Sequence, residues 1–103
     1  MPQFGVYKNP GHDDSIPFVI QLQSTRLDRT ITRVVMPLVR PGVRSPKDHA
    51  LTPHIVVQGQ TVYANPLNIA TIAVSRLKNV LEILRDSDQD RIIRAIDEMV
   101  TRA

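Results

Sequence analysis

A chain of 103 residues suits one domain with a modest core and is too short to enclose a large active site. Hydrophobic residues make up 42% and charged residues 22%, as in soluble globular proteins, and the absence of cysteine excludes disulfide and thiolate chemistry and favours a cytoplasmic setting. Thirteen basic and ten acidic residues give a net charge of +3 with no long run of one sign, which permits an acidic partner but identifies none.

The N-terminal MPQFGVYKNP lacks the basic-then-apolar layout of a signal peptide, and no apolar run is long enough to span a bilayer. A membrane role is not expected. The pattern predicts a single domain over 1–103, strand-rich through about residue 75, with a C-terminal helix over about 88–102.

QFGVYKN and IPFVIQLQS read as two strands, because both are rich in β-branched and aromatic residues and NPGHDDS between them is dense in turn formers. Alternation puts Phe18, Ile20 and Leu22 on one face, and Val19, Gln21 and Gln23 on the other. TRVVMPLV is a third strand. Its Pro37 cannot donate a ladder hydrogen bond, so an edge or a bulge is expected there. RPGVRSPKDHALTP, with three prolines, reads as a long loop.

HIVVQGQTVYAN reads as a hairpin turned at Gln58-Gly59, and NIATIAV as a sixth short strand. Many short strands with frequent turns predict a small, strongly bent sheet or barrel. The period then changes. Leu77, Val80, Leu81 and Leu84 fall at i, i+3, i+4 and i+7, a spacing that suits a short helix and leaves helix or loop open over 76–85. After a break at DSDQD, Ser87 is the expected N-cap, with Asp90 completing a capping box. Ile92, Ile93, Ile96, Met99 and Val100 then form an apolar stripe, with Arg91, Arg94, Asp97 and Glu98 mainly off it.

Few residues suggest chemistry. A loop could bring Asp48, His49 and His54 to a metal, but the spacing is not a helical pair and solvated or capping histidines are the simpler reading. His12-Asp13-Asp14 suits a turn whose carboxylates bond backbone amides. The chain has no Gly-rich phosphate loop and no nucleophile elbow, so no catalytic residue, metal or cofactor is assigned. Arg26, Arg29 and Arg33, with Thr25, Thr30 and Thr32, form a polar stretch that could contact phosphate as in a ribonuclease; the plainer reading is a solvated loop.

The order of motifs resembles the CcdB family, the toxin half of a toxin–antitoxin pair. The resemblance is carried by Gln3-Phe4, Val6-Tyr7, Gln23-Ser24, Leu27-Asp28 and the strand Arg33-Val34-Val35-Met36-Pro37-Leu38. Leu51, Pro53, Gly59, the run through Val74, and Ile92, Ala95, Ile96 and Met99 continue it over essentially the whole chain.

The resemblance implies an SH3-like β-barrel with a C-terminal helix, shared with the MazF and Kid ribonuclease toxins. It also implies a homodimer whose paired helix ends bind the A subunit of DNA gyrase, a type II topoisomerase, and trap the enzyme on cleaved DNA. No catalysis is implied. A CcdA-like antitoxin would neutralise the toxin, and operator DNA would be met only through the antitoxin complex, in a plasmid-maintenance role.

Target contacts implied at matching positions are Gln3, Phe4, Tyr7, Ser24, Arg26, Leu27, Asp97, Met99, Thr101, Arg102 and Ala103. The plainer reading places Phe4 in the core and Ser24 at a strand end or turn. The sequence departs from well-known members at its end, where Thr101-Arg102-Ala103 replaces Trp-Gly-Ile. Two alternatives follow: a MazF-like ribonuclease toxin of the same fold, or a non-poisoning homologue that only binds its antitoxin.

Overall fold

The computed structural model describes residues 2–42 and 45–101. The chain forms β1 (Gly5–Lys8), β2 (Phe18–Gln21), β3 (Thr32–Val39), β4 (His54–Val57), β5 (Gln60–Ala64), β6 (Ala70–Ala73), β7 (Glu82–Ile83) and α1 (Asp86–Val100). Short 3-10 turns at Thr25–Leu27, Pro66–Asn68 and Val74–Arg76 join them. All pairings are antiparallel, in the order β4-β5-β3-β2-β1-β7, with β6 also on β3. The result is a nearly closed β-barrel with one C-terminal helix, the architecture that the strand pattern and the resemblance predict.

The alternation rule sorts the first three strands into two cores. Phe4, Val6, Phe18, Ile20, Met36 and Leu38 point inward with Ile55, Val57, Val62 and Ala64, and α1 adds Ile92. The opposite faces of the same strands carry Tyr7, Val19 and Val35, which Leu77 covers from outside. Both faces of β2 are therefore buried, which fits the unbroken apolar run IPFVI that leads into it.

Pro37 sits where β3 changes partners. Residues Thr32–Val35 pair with β6, whereas Leu38 and Val39 pair with β5. The missing N–H of Pro37 thus falls between two neighbouring strands, and its carbonyl accepts from the N–H of Asn65 at 3.2 Å. At the β4–β5 turn both Gln58 (φ 51°) and Gly59 (φ 75°) are left-handed, as a two-residue type I′ hairpin requires.

Residues 77–84 do not form the short helix that their spacing would allow. The N–H of Leu81 donates to Val6 at 2.8 Å and that of Leu84 to Phe4 at 3.1 Å, and Glu82–Ile83 pair with Gly5–Val6. The free edge of β1 outcompetes a lone helical turn, because an eight-residue helix is too short to be stable without packing. Leu77 and Leu84 are drawn into different cores, which no single helical face could reach. Gly5 allows this close pass: a Cβ there would meet the Pro2 carbonyl oxygen at 3.0 Å and Val80 Cγ2 at 3.2 Å.

α1 also begins earlier than Ser87. Arg85 occupies the N-cap position with extended backbone and no side-chain cap bond, and its carbonyl accepts from Asp88 and Gln89 at 3.0 Å each. Burial of Leu84 fixes the entry of the helix, so Ser87 falls inside the first turn and the predicted capping box does not form. Asp88, nearly buried, instead accepts from Arg85 Nε at 3.1 Å at the positive end of the helix dipole.

Candidate target-binding surface

The helix is buried along one side and bare at its end. Asp88, Ile92 and Ala95 are buried, and Ile96 packs on the rim of the main core. Beyond that point the last turn has no deep anchor: Asp97, Glu98 and Thr101 are exposed, Met99 is half-buried, and Val100 is 67% exposed. The Thr101 hydroxyl donates to the Asp97 carbonyl at 2.5 Å, which closes the turn without a side-chain partner from the barrel. Arg102 and Ala103 lie outside the described residues.

A second group of expected contact residues gathers where β2 ends. The Phe4 N–H donates to the Gln21 carbonyl at 2.7 Å, and Gln3 Nε2 donates to the Leu22 carbonyl at 3.0 Å. Just beyond, the Ser24 hydroxyl caps the Thr25–Leu27 turn by accepting from the Arg26 N–H at 3.2 Å. Gln3, Arg26 and Leu27 face solvent, with Leu27 56% exposed and Ile31 nearby in sequence 82% exposed. Leu22 and Ile96 both pack on the main core, so this turn and the helix both border the same core.

Two members of the expected set are not on the surface of the protomer. Phe4 belongs to the main core and is held at a left-handed φ of 60°, a strained conformation for a bulky side chain. Tyr7 is buried in the second core, and burial pushes its phenol above the usual pKa against the opposing pull of Arg33. The remaining contact candidates are the exposed turn and the helix end.

The arginine-threonine stretch is largely used by the fold. Arg33 is buried, and its guanidinium donates to the carbonyls of Asp28 at 2.9 Å, Thr30 at 2.5 Å and Thr32 at 2.9 Å. It works as an internal clamp on the loop and is turned away from any phosphate. Only Arg26 and Arg29 of that trio are exposed.

Asp48, His49 and His54 likewise have structural duties. Asp48 Oδ1 accepts from the His54 N–H at 3.0 Å and from Arg91 Nη2 at 2.6 Å. The His54 ring stacks on Tyr63 and bonds the Pro46 carbonyl, and His49 Nδ1 accepts from the Leu51 N–H. Among the described residues, no three His, Cys, Asp or Glu side chains are grouped to hold a metal. The role of Arg91 was hidden in the sequence, since its partner stands 43 positions away.

The CcdB protein family matches residues 3–101. The chain belongs to the CcdB family. At the family level that makes it a toxin of a toxin–antitoxin system. No curated protein is similar enough to be matched to it. For a CcdB-family toxin, the exposed helix end and the exposed apolar turn at Leu27 are among the surfaces suited to a protein partner. No helix among the described residues is long and apolar enough to cross a membrane.

Proposed function

We propose that this CcdB-family protein acts without catalysis, as a homodimer whose C-terminal helix ends bind the A subunit of DNA gyrase and trap the enzyme on cleaved DNA. A CcdA-like antitoxin would neutralise it, and operator DNA would be met through that antitoxin complex. The observation that carries the reading is the last turn of α1 in a chain of this family: a helix anchored at Ile92 and Ala95 leaves Val100 and Thr101 free to enter a partner. A net charge of +3 suits an acidic antitoxin segment.

The deciding experiment incubates the purified protein with gyrase and supercoiled plasmid and looks for covalent gyrase–DNA complexes. Their appearance supports the proposal. Toxicity in a sensitive host without trapped gyrase would leave the family assignment in place and remove this target. The Thr101-Arg102-Ala103 end favours one alternative, a homologue that binds antitoxin without poisoning, and that reading predicts neither trapped gyrase nor toxicity.

A further inference from the structure

Three cations outside any ion pair among the described residues share one hollow, away from α1. A hollow of about 480 Å³ lies between the β1–β2 loop and the segment after β6, and Lys8, His12, Arg76, Lys78, Asn9 and Ser75 line it. Among the described residues no ion pair engages Lys8, Arg76 or Lys78. The carboxylates nearest in sequence, Asp13 and Asp14, line the adjoining hollow, which shares Lys8, Asn9 and Gly11 with this one. Asp13 is occupied by its own turn, accepting from the Ser15 N–H at 2.9 Å and hydroxyl at 2.6 Å.

Lys8, Arg76 and Lys78 are the chain neighbours of the buried Tyr7 and Leu77 and are themselves exposed. The loop bearing His12 is held open by Asn9, whose side chain donates to the Ile16 carbonyl at 2.9 Å and accepts from the Gly11 N–H at 3.0 Å. Three fixed cations and one histidine therefore share a hollow that no acidic side chain lines.

We infer that this hollow binds the phosphate backbone of nucleic acid. A folded or extended protein partner needs an apolar anchor in a pocket, and among the lining side chains only Pro10 is apolar. Phosphate contact needs only cations and small donors, which Asn9 and Ser75 add to the lysines and arginine. No aromatic ring lines the hollow to stack a base, so binding reads charge and not sequence. This adds a direct DNA contact to a chain expected to meet DNA only through its partners, and it is independent of the gyrase proposal.

The test is fluorescence anisotropy of a short labelled DNA duplex with the full-length protein from about 50 to about 200 mM salt. Three phosphate contacts predict a slope of log K against log salt near about −3, and so about a 40-fold loss of affinity over that range. The K8Q/R76Q/K78Q protein should bind at least about tenfold more weakly at low salt, and each single substitution should reduce the slope by about one. The control R29Q/K47Q/R94Q removes three exposed cations elsewhere and should keep the slope. Absence of duplex binding at low salt, equal losses in both triple variants, or an oligoglutamate peptide that binds as tightly as the duplex would each overturn the inference.

Discussion

Arg91 Nη2 lies 2.6 Å from Asp48 Oδ1 and so fastens the middle of α1 to the long loop before β4. The same arginine donates through Nη1 to the His54 carbonyl at 2.6 Å. One side chain thus ties together the helix, the loop and the first residue of the edge strand. Because the pair is exposed, its net worth is small, and its consequence is local order. Asp48→Asn should speed hydrogen exchange across residues 45–53 while leaving Tm nearly unchanged; a protected loop in that variant would contradict the role.

The pH dependence of this tie has a definite sign. The His54 N–H, and after it Arg91, hold the Asp48 carboxyl below its ordinary range, so the folded state binds its proton less readily than the unfolded state. The stabilisation is present above the unfolded pKa of about 3.9 and is lost as pH falls through the lower folded value. Asp48→Asn should flatten the acid limb of the stability curve below about pH 4, with a small loss of stability at neutral pH that disappears in acid. Urea midpoints across the acid range check this.

Arg33 is the opposite case, a buried cation held by backbone carbonyls. Arg33→Met should lower stability by about 1.5–3 kcal/mol, since several carbonyls lose a charged donor. Lysine should recover only part of the loss, because a single ammonium cannot span the acceptors that the planar fork reaches. Denaturant titration of the three proteins settles the order.

The Gln58-Gly59 turn gives a backbone test free of packing. A Cβ on Gly59 meets nothing within 4 Å, so Gly59→Ala should cost about 1 kcal/mol purely through its left-handed φ of 75°. Gln58→Asn should stabilise, because asparagine tolerates the left-handed region better than glutamine. Thermal unfolding should show opposite shifts for the two variants.

Two positions on α1 separate folding from action. Ile92→Ala removes a fully buried side chain and should cost about 2–5 kcal/mol. Val100→Ala should stay within about 0.5 kcal/mol in stability yet weaken gyrase trapping. If Val100→Ala traps gyrase as well as the parent, the helix end is not the contact. Replacing the end by Thr101→Trp, Arg102→Gly and Ala103→Ile should strengthen trapping, since a buried tryptophan typically adds about 2 kcal/mol or more at an interface.

Much of the architecture was legible in local pattern. TRVVMPLV, the Gln58-Gly59 hairpin and the apolar stripe through Ile92 could be read directly, because period-2 and period-3.6 alternation are written in neighbouring residues. The order of motifs also carried the family, and with it the expectation of a contact at the helix end. The candidate site was less legible: Phe4 lies in the core, as its apolar character led one to expect, whereas the burial of Tyr7 in the second core was not foreseen.

What remained for the tertiary structure to decide was every choice that depends on a distant partner. Leu77, Val80, Leu81 and Leu84 carry a helical spacing, but the edge of β1 takes Glu82–Ile83 as a strand, and the carbonyls of Val6 and Phe4 accept from the N–H groups of Leu81 and Leu84 on either side. Arg33 reads as part of a solvated loop, yet its own loop folds around it, and nothing near Asp48 in the sequence shows that Arg91 reaches it from the helix. The sequence by itself determined which residues prefer water or core and with what period. Where the preferences of two segments compete for the same partner, only the assembled barrel assigns the winner, because that free energy belongs to the pair and not to either segment.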